Sequence, residues 1–294
     1  MNVEGRQARA AWAFLLPAVA LLAVFFVLPV LVAFGLSLTD FDVYAVADPS
    51  VARFVGFDNY LHLFGNPVFW AALRNTFYFV LVGGPLSVAT SLAAALLVNG
   101  RLTRWKGFFR SAYFAPVVTT LVAVAIVWRY LYHPVFGPID QFLDWIGIGR
   151  VDWLGSPVWA MPAIIILAIW KNFGYNMLIF IAGLQAIPGE LYDAAELDGA
   201  SWWQRFRHIT LPMLAPTFLF VAVVTMIGYF QLFAEPYVMT QGGPLRSTLS
   251  VVLFMYEEGF RWWRIGNAAA IAFILFLIML VATLIQFRLR PRED

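Results

Sequence analysis

The chain has 294 residues, of which 62% are hydrophobic and 12% charged, and its mean hydropathy is +0.79. A soluble domain of that composition would carry an implausibly apolar surface, so the chain reads as an all-α, polytopic integral membrane protein. A net charge of +2 gives no reason to expect nucleic acid as a partner, and the absence of cysteine excludes disulfide frameworks and thiol-ligated metal or redox centres.

Six apolar runs, near residues 11–37, 71–98, 108–131, 159–183, 212–234 and 266–287, are long enough to cross a hydrocarbon core of about 30 Å, which takes roughly 20 helical residues. The first starts behind Arg6 and Arg9, as a secretory signal does. It is far longer than a signal core, contains Pro17 and Pro29, and has no small-residue cleavage site after it, so it reads as a retained span. Gly83-Gly84-Pro85 interrupts the second run, Pro116 the third and Gly174 the fourth. Two readings of these breaks are open: irregular backbone lining a solute path, or kinking and close helix packing. No repeat or low-complexity linker divides the chain, which reads as one transmembrane domain over residues 1–294.

Lys and Arg set the expected orientation. The segments 1–11, 99–110, 184–211 and 288–294 hold eleven of them, against five in the longer segments 39–70, 132–158 and 234–265. Both termini are therefore expected in the cytoplasm, in a multi-pass protein of the cell (inner) membrane. The outward segments carry Tyr60, Trp70, Tyr132, Trp145, Trp153, Trp262 and Trp263, which read as interface anchors.

Between the fourth and fifth runs lies a charged, helix-forming loop over residues 190–211. Gly199 separates two helix-competent stretches and suits the positive φ that ends the first. Ser201 with Gln204 reads as a capping box that starts a second helix at Trp202, and Pro212 suits the first turn of the next span.

The chain has no phosphate-binding Gly-rich loop with Lys and Ser/Thr, no nucleophile elbow and no paired-histidine metal motif, so it is read as a non-enzyme with no cofactor of its own. His62, His133 and His208 have no metal-ligand spacing, and no metal site is expected. An ion-coupled carrier is the rival class. The span interiors hold no acidic residue and only one charge, Lys171, which argues against ion coupling. A channel gives no reason for a structured loop carrying Trp202, Trp203 and Phe206.

Asp193, Ala194, Ala195, Gly199, Ile209, Leu211 and Pro212 fall on the spacing E-A-A, three residues, Gly, nine residues, Ile, one residue, Leu-Pro, with Asp in place of Glu. That pattern resembles the coupling loop of binding-protein-dependent ABC importer permeases. Residues 182–188 are similar to the A-G-L-Q-x-I-P lead-in of the carbohydrate-uptake branch, the maltose/lactose-type inner-membrane components. Residues 230–233 resemble its F-Q-x-F, residues 237–244 its Y-x-x-T-x-G-G-P, and residues 54–60 its F-V-G-x-x-N-Y. The resemblance implies a permease subunit paired with a second, homologous permease in a heterodimer. It also implies two cytoplasmic ATPase subunits that use ATP and Mg, and an extracytoplasmic solute-binding protein that delivers a mono- or oligosaccharide. A glycerol-phosphate or polyol importer is the alternative within the class. The loop residues above, with Phe206, are then the expected ATPase-coupling set.

Candidates for the solute path follow from pattern. Asn172, Tyr175 and Asn176 share one helical face beside Lys171, and Thr225, Gly228, Tyr229 and Gln231 form a polar and aromatic patch in the fifth run. Sugar sites combine hydrogen-bonding groups with a flat apolar surface. Helix-to-helix hydrogen bonding is the competing role for each residue. For Lys171 two readings stand: binding an anionic group, or capping carbonyls at a helix break near Gly174.

Overall fold

The computed structural model of the protein describes residues 3–100 and 103–288. Arg101, Arg290 and Arg292, and the side chains of Arg6 and Arg9, on which part of the expected orientation rests, lie outside the described residues. The described chain is almost wholly helical. In order, the elements used below are α1 (Ala11–Ser37), α2 (Pro67–Asn99), α3 (Lys106–Val118), α4 (Leu121–Leu131), α5 (Ala160–Ala186), α6 (Gly189–Leu197), α7 (Trp202–Arg205), α8 (Ala215–Phe230), α9 (Ala234–Met239) and α10 (Ile265–Arg288). Four of these, α1, α2, α5 and α10, and the stretch Ala215–Met239, are long and apolar enough to cross a membrane.

The predicted third span is not one rod. It is α3 and α4, bent by 98° across Thr119 and Thr120. The break is not at Pro116 itself, which is carried inside α3; it falls past the end of that helix at Val118. The predicted break at Gly174 does not occur: α5 runs unbroken for 27 residues. Gly174 serves close packing instead, since a Cβ there would strike the carbonyl of Tyr113 on α3.

Three of the prolines in apolar runs share a local solution. The π-helical turns Ala23–Val27, Phe79–Gly83 and Phe206–Thr210 each end two residues before a proline, at Pro29, Pro85 and Pro212. A proline ring crowds the carbonyl four residues back and cannot donate to it. Widening the preceding turn by one residue relieves both problems without ending the helix. Gly83-Gly84-Pro85 therefore opens a turn of α2 without interrupting it, and Pro212 continues a helical path already begun at Trp202. Pro17 is carried inside α-helix with no such opening.

The described residues pack as two compact units, Met1–Asn66 with Met255–Phe276, and Pro67–Phe254 with Leu277–Asp294. In the first, the segment that follows α1 folds back to satisfy its last carbonyls. Asn59 Nδ2 donates to the carbonyls of Ser37 and Thr39, both at 2.8 Å, and the backbone N–H groups of Val55 and Gly56 donate to Leu38 O at 2.9 and 3.1 Å. Tyr60 Oη pairs with Ser37 Oγ at 2.7 Å. The residues 54–60 singled out by pattern are thus a cap on the first span. Tyr60 is bound inward by this contact. Tyr132 likewise is no interface anchor: it is buried, and its hydroxyl donates to Ala163 O at 3.0 Å.

In the second unit α5 is the central rod. Its Met177, Phe180, Ile181 and Leu184 pack with Val88, Ala95 and Val98 of α2 and with Leu214 and Val221, forming the core that the other helices lean on. At Gly183 a Cβ would come within 2.6 Å of Thr217 Oγ1, so the glycine sets how closely α5 and α8 approach. The segment after α9 is tied back to α2 by Asn75 Nδ2, which donates to the carbonyls of Arg246 and Leu249 at 2.7 and 3.0 Å.

Gly174→Val should lower the thermal unfolding midpoint of the detergent-purified protein, by overpacking worth about 1–3 kcal/mol. Gly107→Ala in α3, where a Cβ meets nothing within 4 Å, should not lower that midpoint and should raise it slightly through helix propensity.

Candidate functional site

The solute-path residues predicted on two separate runs come together. Asn172, Tyr175 and Asn176 of α5, Thr225 and Tyr229 of α8, and Gln231 just beyond it, all line one cavity of about 520 Å³. The volume lies within the roughly 300–1,000 Å³ of small-molecule sites. Tyr175 and Gln231 are exposed into open space, Asn172 is half-buried, and Asn176, Thr225 and Tyr229 are buried in the wall.

The wall is organised by a few contacts. Asn176 Nδ2 donates to Thr225 Oγ1 at 2.9 Å, which joins α5 to α8 and orients the amide. The helix-to-helix role and the cavity role thus coincide in this pair. Tyr229 stacks on Phe79 with ring centroids 4.7 Å apart, and its ring lies so close to Gly83 that a Cβ there would come within 2.9 Å of it. A broad aromatic face is thereby fixed beside amide and hydroxyl groups.

Sequence reasoning missed half of this wall. Phe79, Val117, Leu121, Phe233 and Glu235 also line the cavity. Val117 and Leu121 stand on either side of the break in the third span. Glu235 corrects the expectation that no acid lies within the spans. The apolar helical stretch runs on to Met239 instead of ending at residue 234, and Glu235 is buried in it.

Lys171 is also buried, and its ammonium donates to the carbonyls of Pro116 and Val117 at 2.7 and 3.0 Å. It caps carbonyls at a break, but at the break after Pro116, since Gly174 makes none. Those carbonyls lie in the last turn of α3, where Thr119 also donates to Pro116 O from its backbone N–H at 3.2 Å and its hydroxyl at 2.6 Å, and a cation at a helix C-terminus is favoured by the helix dipole.

The loop over residues 190–211 folds as its sequence indicates. Helix α6 ends at Leu197, Gly199 takes φ +74°, and Ser201 and Gln204 form the reciprocal capping box at the start of α7. Arg205 Nη1 bonds Glu196 Oε2 at 3.0 Å across the turn, and Tyr192 Oη pairs with Thr210 Oγ1 at 2.9 Å. The predicted coupling residues divide into two sets. Asp193, Ala194, Gly199, Leu211 and Pro212 are exposed and Ala195 is half-exposed, whereas Ile209 turns inward with Tyr192 against the α2–α5 core. Phe206 is partly buried and stacks on Trp202, with centroids 5.5 Å apart. Trp202 and Trp203 themselves stay more than half exposed, as does Leu197.

Comparison with known proteins agrees with this architecture. Residues 87–294 match the family model described as the binding-protein-dependent transport system inner membrane component. The lactose transport system permease protein LacF of Rhizobium radiobacter is 37% identical over 281 residues, covering 94% of this chain and 92% of that one. The arabinooligosaccharides transport system permease protein AraP of Halalkalibacterium halodurans is 35% identical over 82% of this chain and 77% of its own. Among solved structures, a chain of a bacterial alginate ABC transporter, in complex with an alginate pentasaccharide-bound periplasmic protein, shares the fold with a TM-score of 0.81 at 23% identity, covering 96% of this chain and 93% of that one. With its α2–α5 core, its capped loop and these matches along most of its length, the chain belongs to the family of binding-protein-dependent transport system inner membrane components, as a multi-pass membrane permease.

Proposed function

We propose that this permease carries a sugar, a mono- or oligosaccharide, through the cavity between α5 and α8, and that it does so as one of two homologous permeases in a heterodimer. In this reading the exposed face of residues 190–211 seats one of two ATPase subunits in the cytoplasm, an extracytoplasmic binding protein delivers the solute, and both termini are cytoplasmic. The chain binds no cofactor itself, and ATP and Mg are used by the ATPase partners.

The observation that carries the proposal is the convergence of amides, hydroxyls and an aromatic face on one cavity from two helices joined by the capped loop. Hydroxyl-rich solutes need such polar groups beside a flat apolar surface. Relatives named for lactose and arabinooligosaccharides support the substrate class. A glycerol-phosphate solute is disfavoured because Lys171, the cation nearest the candidate residues in sequence, is engaged by two backbone carbonyls.

Three outcomes follow. In vesicles reconstituted with the partner subunits, sugar uptake should require internal ATP and the binding protein and should survive collapse of proton and sodium gradients; uptake by this chain alone, abolished by an ionophore, would establish an ion-coupled carrier instead. Asn176→Ala should weaken sugar uptake while ATPase co-purification stays normal, since a lost buried hydrogen bond costs about 1–3 kcal/mol, or about one to two decades of affinity. Gly199→Val should show the reverse, with a β-branched residue forced into positive φ, so that transport is lost through uncoupling or failed ATPase assembly while the membrane helices still insert. Normal uptake together with normal ATPase recovery in that variant would remove the coupling role.

A further inference from the structure

The cavity between α5 and α8 carries an ionisable group that no sugar-binding pattern in the sequence accounts for. Glu235 opens α9 and is 8% exposed, yet it lies on the cavity wall beside Gln231 and Phe233. The neighbouring cation, Lys171, is within electrostatic reach of it but does not line the cavity, because its ammonium is held by the carbonyls of Pro116 and Val117. Of these two ionisable residues, it is Glu235 and not Lys171 that lines the path of a solute entering the cavity.

We infer that Glu235 is a charge-selecting residue of this cavity: it admits uncharged or amine-bearing sugars and disfavours sugars that carry a carboxylate or phosphate. The inference rests on the reading of the cavity as a sugar path and adds to it the charge class of the solute. Three physical arguments support it. A carboxylate accepts hydrogen bonds from sugar hydroxyls or an ammonium, and such charge-assisted bonds are stronger than their neutral counterparts. A second negative charge a few ångströms away is repelled, because the surrounding protein screens much less than water does. Nothing on the cavity side answers that repulsion, since the lining groups are amides, hydroxyls, aromatic rings and aliphatic side chains.

The test uses the assembled transporter in lipid nanodiscs without the binding protein, so that delivery does not filter the solutes first. Equilibrium binding is measured for three disaccharides of one size: lactose, its 2-amino analogue and its 6′-uronate. The wild-type complex should bind lactose and the amino sugar and bind the uronate at least tenfold more weakly. Glu235→Gln, which keeps size and hydrogen bonding, should bring the uronate to within about threefold of lactose, and Glu235→Asp should retain the discrimination. If the uronate is disfavoured equally in the wild type and in Glu235→Gln, or binds the wild type as well as lactose does, the assignment of Glu235 is overturned while the sugar reading stands. If the complex reconstituted with its binding protein takes up none of the three, the sugar reading itself fails, and this inference with it.

Discussion

Backbone hydrogen bonding is the constraint on which this architecture depends. At membrane depth no water is available to satisfy an N–H or C=O that leaves the helical ladder, and each unsatisfied group costs several kcal/mol, or about as much as half of a domain's net stability. At three irregular places among the described residues, one side chain supplies a partner for carbonyls outside a continuing helix. Lys171 serves the end of α3, Asn59 the end of α1, and Asn75 the segment that follows α9. Each donor bonds two carbonyls at once, so one residue fixes both the position and the direction of an irregular segment.

This constraint also explains where the cavity can exist. The 98° bend turns the chain aside, and Val117 and Leu121 on either side of it become cavity wall. Lys171 and Thr119 together supply donors to the carbonyls at the start of the bend. A cation placed in an apolar helix, which looks at first like a ligand site, thus supports the bend beside one.

Much of this was legible in the sequence, and the exceptions have physical reasons. The capped loop at 190–211 could be read because Gly199, Ser201 and Gln204 act locally: positive φ and the capping box depend on residues within one turn of each other. The sharing of one cavity by Asn172, Tyr175 and Asn176 with Thr225, Tyr229 and Gln231 was foreseeable from helical spacing and from the short link between their spans. What stayed open or failed depended on distant partners. Only Tyr113, seen against Gly174, decides for close packing over a break there, and Tyr132 reads as an interface anchor until its hydroxyl is seen to meet Ala163. Glu235 was lost for a different reason: an acidic residue ends an apolar run by composition, although the helical stretch continues past it. The π turns ahead of Pro29, Pro85 and Pro212 lie between these cases, because the proline is visible and the widened turn that accommodates it is not.

The turn at Gly199 has one further property. A Cβ built there meets no atom of this chain within 4 Å, so crowding at the first side-chain atom is not what requires glycine. What the turn demands is handedness. A D-amino acid has positive φ as its relaxed conformation, and among the ordinary residues asparagine comes nearest because it visits the left-handed region most readily. The joint between the two short helices is therefore specified by chirality rather than by volume.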